Sequence, residues 1–490
     1  MMGLEELRNF WMEYRKYKSG IVGLVLLMFL VVMAVGAPLF APQENYENWM
    51  NSEYWVENPK GVPPAWVNYF SSKKLPTHLI LTEPAFFEEQ TVCLNWTPRP
   101  PSHKGLTPIP ETTSLKLYNL TYIYDFHYDE PPRDIMFRIL GVMGGDAPMD
   151  IRISIVRPDG KAVVIRCSYI FTEAYQDIMC ITISLTTTKE AVAGIWRFAE
   201  KHETEANLNI ARSMMIDEMD IVFREAAPGM IFGDTPLLKG TYILNILVKA
   251  GNPMDRLDGV RVIISGKVYG LLGTDMSKRD LFTGIVWGSR LALIVGVVTS
   301  LLCTLIGVLY GVVSAYVGGL KDEFMQRIYE IVASIPVLPI LILMAVMFKP
   351  SIWNLVLMMV LFYWTGPVKT ARSMALQIKE ETYVEAARAI GASGTRIVMK
   401  YIFAQLLPYS FALMALSVPG AILTEAGISF LMGGEIISEP TWGRILHDAQ
   451  GYSKMWWWIL PPGVMICIAG LSFVLIGYAL DKILNPMLKH

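Results

Sequence analysis

The chain has 490 residues, of which 53% are hydrophobic and 18% charged, with a formal net charge of −2. This mixture is too apolar for an ordinary soluble domain, yet leaves a sizeable water-facing part, and the length suffices for two or three domains. The near-neutral balance excludes a generally basic nucleic-acid binder, and the five cysteines (Cys93, Cys167, Cys180, Cys303, Cys467) fit no zinc or CxxC redox spacing.

The first element in chain order is an almost unbroken apolar run from Gly20 to Phe40, long enough to cross a bilayer core of about 30 Å. Residues 1–19 before it carry Arg8, Arg15, Lys16 and Lys18, which predicts a cytoplasmic start for a span over 20–42. Small residues at Ala34–Ala37 offer a competing reading as a cleaved signal peptide, but the apolar core exceeds a signal h-region.

Residues 43–265 contain no second span. Their first part, 43–113, is rich in proline and is expected to be extended and irregular. From 114 to 265 short β-type runs follow: Leu115–Phe126, Ile135–Leu140, Ile151–Val156, Ala162–Ile170, Ile178–Leu185 and Gly240–Lys249. Arg157-Pro158-Asp159-Gly160 between two of them is a hairpin signal, and Lys189–Glu218 is helical in composition. A β-sandwich with a helical insertion is the predicted arrangement. Cys167 and Cys180 fall on candidate neighbouring strands, where a disulfide is expected if the segment lies outside the cell.

Five apolar segments close the chain, at about 291–317, 328–348, 351–368, 401–431 and 456–480. Six spans with a cytoplasmic start return the C-terminus to the cytoplasm. The charges agree: Lys321, Arg327, Lys369, Arg372, Lys379, Arg388, Arg396, Lys400, Lys482 and Lys489 join the N-terminal four on one side. The short outer loops hold only Lys349, Arg444 and Lys454. The fold class is therefore all-α polytopic with six transmembrane helices and a large extracytoplasmic β-rich domain; the membrane core is 266–490, with a cytoplasmic loop over 369–400.

That loop carries Tyr383, Glu385, Ala386, Ala387, Arg388, Gly391, Ala392 and Ser393. Small alanines let a partner's surface approach closely, Glu385 and Arg388 supply polar contacts, and Gly391 permits a sharp turn after the helix. Ahead of the second span stand Gly273-Thr274-Asp275, Arg279-Asp280 and Gly288-Ser289-Arg290, and after it Gly318-Gly319 and Lys321-Asp322. Together with the six-span layout, these residues resemble the oligopeptide/dipeptide class of ABC importer permeases. The resemblance covers Phe10–Pro42 and about 268–486, and departs where the family's Ile-Leu-Pro is replaced by Ile402-Phe403-Ala404, with proline delayed to Pro408.

The resemblance implies a type I importer permease fold and no catalytic role. It implies a coupling helix at Glu385–Gly391 for two P-loop ATPase subunits, a homologous second permease, an extracytoplasmic binding protein, and surrounding membrane lipid. Gly273, Thr274, Asp275, Arg279, Asp280 and Arg290 mark the approach to the pore, and the cargo is expected to be oligopeptide or oligosaccharide. Glu425, an intramembrane carboxylate, is expected to line the pathway or to pair with a neighbouring helix. No Gly-x-x-x-x-Gly-Lys-Ser/Thr, His-Glu-x-x-His or Gly-x-Ser-x-Gly occurs in the chain, so no ATPase or hydrolase motif, metal site or cofactor site is expected. A competing reading makes the chain a membrane-anchored surface receptor or adhesin, but it leaves the Glu385 loop and five closely spaced spans without a purpose.

Overall fold

The computed structural model describes residues 4–95, 112–142, 148–170, 178–214, 216–252, 254–348, 351–433 and 438–484. Lys349, Lys489 and the proline cluster from Pro98 to Pro110 lie outside these residues. The chain divides into two compact units, a helical one of Met1–Ser52 with Arg279–His490, and a β-rich one of Glu53–Lys278.

In the helical unit, α1 (Leu4–Tyr14) leads into the apolar α2 (Lys18–Val35). The chain then leaves for the β-rich unit, which contains β1 (Leu79–Leu81), β2 (Phe86–Asn95), β3 (Thr112–Phe126), β4 (Asp134–Val142), β5 (Met149–Val156), β6 (Ala162–Tyr169) and β7 (Ile178–Ser184). Helices α3 (Lys189–Ala199), α4 (Glu205–Ala211) and α5 (Glu218–Phe223) precede β8 (Gly240–Lys249) and β9 (Arg256–Ser265). Two antiparallel sheets form, ordered β1-β9-β4-β7 and β2-β3-β8-β5-β6.

One apolar core joins the two sheets. Alternate residues of β3, namely Tyr118, Leu120, Tyr122, Tyr124 and Phe126, are buried with Phe137, Ile153, Ile246 and Val262 from other strands, the period-2 pattern of a half-buried strand. The Tyr122 hydroxyl donates to the Val260 carbonyl at 2.7 Å, linking one sheet to the other. The hairpin at Arg157–Gly160 closes with Gly160 N–H on the Arg157 carbonyl at 2.9 Å. Three strands were not foreseen. β1 and β2 arise inside the segment expected to be irregular, and β9 at the end of the predicted β-sandwich, where no run had been singled out. Pairing with β9 and β3 satisfies their backbones, a long-range gain that local composition does not display.

The cysteine expectation needs correcting. Cys167 lies on β6 of one sheet and Cys180 on β7 of the other, and both are free thiols. Adjacency in sequence suggested adjacency in the sheet, but β6 pairs with β5 and β7 with β4.

The helical unit resumes with α6 (Leu281–Val317), α7 (Gly319–Ser334), α8 (Val337–Met347), α9 (Ile352–Tyr363), α10 (Val368–Lys379), α11 (Thr382–Ala389), α12 (Ala404–Met432), α13 (Trp442–Asp448) and α14 (Trp456–Leu484). Among the described residues, four helices are long and apolar enough to cross a membrane. There are up to six if α7–α8, bent by 76°, and α9–α10, bent by 52°, each count as one span. The segments expected at 328–348 and 351–368 thus fall in bent helix pairs and not in single continuous helices. Ile335, before Pro336, is extended at φ −71° and ψ 129°, as the ring of a following proline dictates. A π-helical turn, Ile397–Phe403, feeds α12, and Pro408 sits inside that continuous helix. The displaced proline therefore follows a local widening of the helix.

Candidate functional site

Helix α11 is short and is held by one face. Val384 is fully buried and Ala387 is 3% exposed, and both stand one turn apart on the same side. Val384 packs in a cluster with Val308, Val312 and Ala315 of α6, Ala371 and Ala375 of α10, and Ile397 and Ile402 of the π turn. On the other side Tyr383, Glu385, Ala386, Arg388 and Ile390 are exposed.

The end of α11 is a fully hydrogen-bonded C-cap. Gly391 takes φ +83°, its N–H donates to the Arg388 carbonyl at 3.0 Å, and the Ala392 N–H reaches the Ala387 carbonyl at 3.1 Å. These are the two bonds of the Schellman motif, and only the residue at Gly391 needs the left-handed backbone. A Cβ placed there would meet nothing within 4 Å, so the requirement is conformational and not steric. Ser393 then caps the next helical segment, its hydroxyl accepting from the Arg396 N–H at 3.4 Å. Helix, glycine turn and serine cap follow within a few residues, which fixes the direction of α11.

Beneath the loop lies a polar clamp. Arg372 of α10 donates from Nε and Nη2 to the two carboxylate oxygens of Asp322 on α7, at 2.9 and 2.6 Å. The Ser314 hydroxyl of α6 also donates to Asp322, and Lys379 reaches the Ala315 carbonyl at 3.3 Å. A bidentate Arg–carboxylate pair has a fixed geometry, so α6, α7 and α10 are tied together one helix before α11. Close approach helps. A Cβ on Gly307 would lie 2.1 Å from the Trp364 carbonyl oxygen, and one on Gly311 2.6 Å from that of Val368. Only glycine admits the broken α9–α10 segment against α6.

The residues ahead of the second span divide between the two units. Thr274 is fully buried in the β-rich unit; its hydroxyl donates to the Pro59 carbonyl at 2.6 Å and accepts from the Val62 N–H at 3.1 Å. Gly273 and Asp275 flank it, the Asp275 carbonyl accepting from the Gly61 N–H at 2.8 Å and its carboxylate from the Ser277 N–H at 2.8 Å. Thr274 and Asp275 fasten the segment 59–62, while the Gly273 N–H turns back to the Tyr269 carbonyl. In the helical unit, Asp280 caps α6 by accepting from the N–H groups of Phe282 and Thr283, both at 3.2 Å. Arg279 pairs with Asp448 at 2.6 Å and lies 4.8 Å above the Trp49 ring, whereas Arg290 is exposed beside Trp287. Asp448 and Trp49 were not foreseen as its partners, because more than 150 residues separate either of them from Arg279.

Glu425 is 2% exposed on α12, where its carboxylate accepts from the Ser429 hydroxyl at 2.8 Å. It does not line the neighbouring cavity of about 430 Å³. That cavity is walled by hydroxyls instead: Thr299, Ser300 and Thr304 of α6, Tyr363 of α9, and Ser417 and Thr424 of α12. The Tyr363 and Thr424 hydroxyls are 3.1 Å apart. The Thr299 and Ser300 hydroxyls are buried with no hydrogen-bond partner among the described residues, an arrangement that is costly within apolar helices. Sequence reading passed over this set; the visible sign was Ser417 and Thr424 two turns apart on α12.

Residues 304–490 match the family model described as binding-protein-dependent transport system inner membrane component, and residues 6–54 match the N-terminal TM domain of oligopeptide transport permease C. The dipeptide transport system permease protein DppC of Bacillus subtilis is 34% identical over 220 residues, 44% of this chain and 69% of that protein. The oligopeptide transport system permease protein OppC of Haemophilus influenzae is 33% identical over 219 residues, 44% of this chain and 70% of its own. OppC of Bacillus subtilis is 32% identical over 218 residues, 44% of this chain and 72% of that protein. Neither family model reaches residues 55–303, so what they match belongs to the helical unit. The chain belongs to the family of binding-protein-dependent transport system inner membrane components, as a permease subunit of the ABC transporter type.

Proposed function

We propose that the chain forms half of the translocation pore of an ATP-driven peptide importer, in six spans with both termini cytoplasmic and the β-rich unit outside. The observation that carries the reading is α11: one face is seated on the helical unit through Val384 and Ala387, its end is locked at Gly391, and the opposite face is presented to solvent. Such a surface, mixing Ile390 and Ala386 with Glu385 and Arg388, suits a protein groove better than water. Two P-loop ATPase subunits dock there, one on this chain and one on a homologous second permease, and a soluble binding protein delivers cargo from outside. ATPase closure moves α11, and the Asp322–Arg372 clamp passes the movement to α6 and α10.

Peptide is the cargo class that the names of the relatives support, and nothing favours the oligosaccharide alternative. The hydroxyl-lined cavity supplies donors and acceptors that a peptide backbone can exchange with in any sequence. A surface receptor gains no support from relatives that are transport permeases. The test is co-purification: the wild-type chain retains its ATPase subunits, and a Glu385→Arg/Gly391→Pro variant inserts normally but loses them. If no ATPase accompanies the wild type, the coupling reading is wrong.

A further inference from the structure

The β-rich unit carries a basic groove that lies outside the helical unit with its hydroxyl-lined cavity and α11. It runs along β6, the last strand of its sheet, and the C-terminal half of α3, and encloses about 490 Å³. Lys161, Arg166, Arg197, Lys201 and His202 stand around it, over an apolar floor that includes Val164 and Phe198. The four lysine and arginine side chains are exposed, and no ion pair among the described residues neutralises any of them. Of the carboxylates close in sequence, Asp159 is taken by the buried Arg157 at 3.2 Å and Glu203 accepts from Asn207 and the Gly229 N–H, while Glu200 forms no ion pair with these cations among the described residues. Beside the groove Arg152 and Arg166 stand directly opposite one another in the β5–β6 ladder. Like charges facing across a ladder repel, and their retention here fits a negatively charged occupant.

We infer that this groove docks an acidic segment of the soluble binding protein, an identification that rests on the extracytoplasmic placement of the β-rich unit proposed above. Three features favour a polypeptide over a small anion. The cations are spread over a strand, a hairpin turn and a helix instead of converging on one point. The floor offers apolar surface for side chains between the carboxylates. Arg166 on the strand and Arg197 on the helix are separate anchors, which an extended chain can meet with successive carboxylates. Matched charge of this kind steers encounter and is screened by salt.

The experiment uses the full-length chain, purified in an uncharged detergent and titrated with a fluorescent peptide of alternating glutamate and leucine; the same peptide with glutamine is the control. The acidic peptide should bind at least about tenfold more tightly than the control, and binding should weaken as salt rises from about 50 to about 200 mM. Arg166→Glu/Arg197→Glu should abolish the preference, while Arg212→Glu, at the end of α4, should leave it intact. If the double charge reversal lowers the melting temperature, Arg166→Gln/Arg197→Gln replaces it and should remove most of the preference. Equal binding of the two peptides overturns the inference. So does displacement of the acidic peptide by inorganic phosphate at millimolar concentration, or stronger binding to phosphatidylglycerol vesicles than to the peptide. Loss of ATPase co-purification with peptide binding intact would count against the transport reading and not against the groove.

Discussion

The glycine that ends α11 allows a graded test. Gly391 sits at φ +83° with its N–H on the Arg388 carbonyl and with open space where a Cβ would go. Alanine there meets no neighbour and loses only the left-handed backbone preference, about 1–2 kcal/mol. Asparagine, which tolerates that region, should cost a few tenths of a kcal/mol. Proline cannot reach positive φ and removes the N–H as well, at about 3 kcal/mol or more. If the ATPase binds only the ordered α11, alanine weakens docking by at most about five- to thirtyfold and proline by more than about a hundredfold. Affinity of the detergent-purified chain for its ATPase subunits, measured by thermophoresis, should therefore fall in the order glycine, asparagine, alanine, proline. Far-ultraviolet circular dichroism should remain constant, because α11 is a small part of the helix. Alanine binding as tightly as glycine while asparagine binds worse, or proline tolerated, would refute the argument from backbone conformation.

Other perturbations follow from the same physics. Asp322→Asn keeps the size but discharges the partner of Arg372, and should cost about 1–2 kcal/mol in thermal stability of the helical unit; Asp322→Ala/Arg372→Ala should cost less than the two single changes summed, as a double-mutant cycle will show. Gly307→Val places side-chain atoms where the Trp364 carbonyl lies, and should cost about 1–3 kcal/mol or prevent stable assembly, read as a lower melting temperature or yield. His78 has neither ring nitrogen hydrogen-bonded among the described residues, and desolvation by burial lowers its pKa to about 4. The neutral form is the folded form, so its contribution is complete above the unfolded pKa of about 6.5 and is lost as pH falls toward about 4, by at most about 3 kcal/mol. Melting of the full chain between those pH values should show that loss, and His78→Leu should flatten it.

The apolar runs, the short helix that ends at Gly391 and most strands were legible in the chain itself, because their signals are local. A run such as Gly20–Phe40 has no alternative to burial in apolar surroundings, β3 alternates with period two, and Gly391 stands where a helix must reverse. Other features rest on pairings between distant residues. The strand β2 needed β3, Cys167 and Cys180 were assigned to different sheets by the ladders, and Asp322 met Arg372 fifty residues away. The bends at Pro336 and before Val368 also escaped hydropathy, which averages over the turn where a span breaks. The hydroxyls of Thr299, Ser300, Tyr363 and Thr424 come from three helices, and only packing gathers them into one cavity. Sequence alone determined what the apolar runs and most of the strands must be, since propensity and burial act within a few residues. Tertiary structure decided which groups meet, since hydrogen bonds and ion pairs require a geometry that the order of residues does not contain.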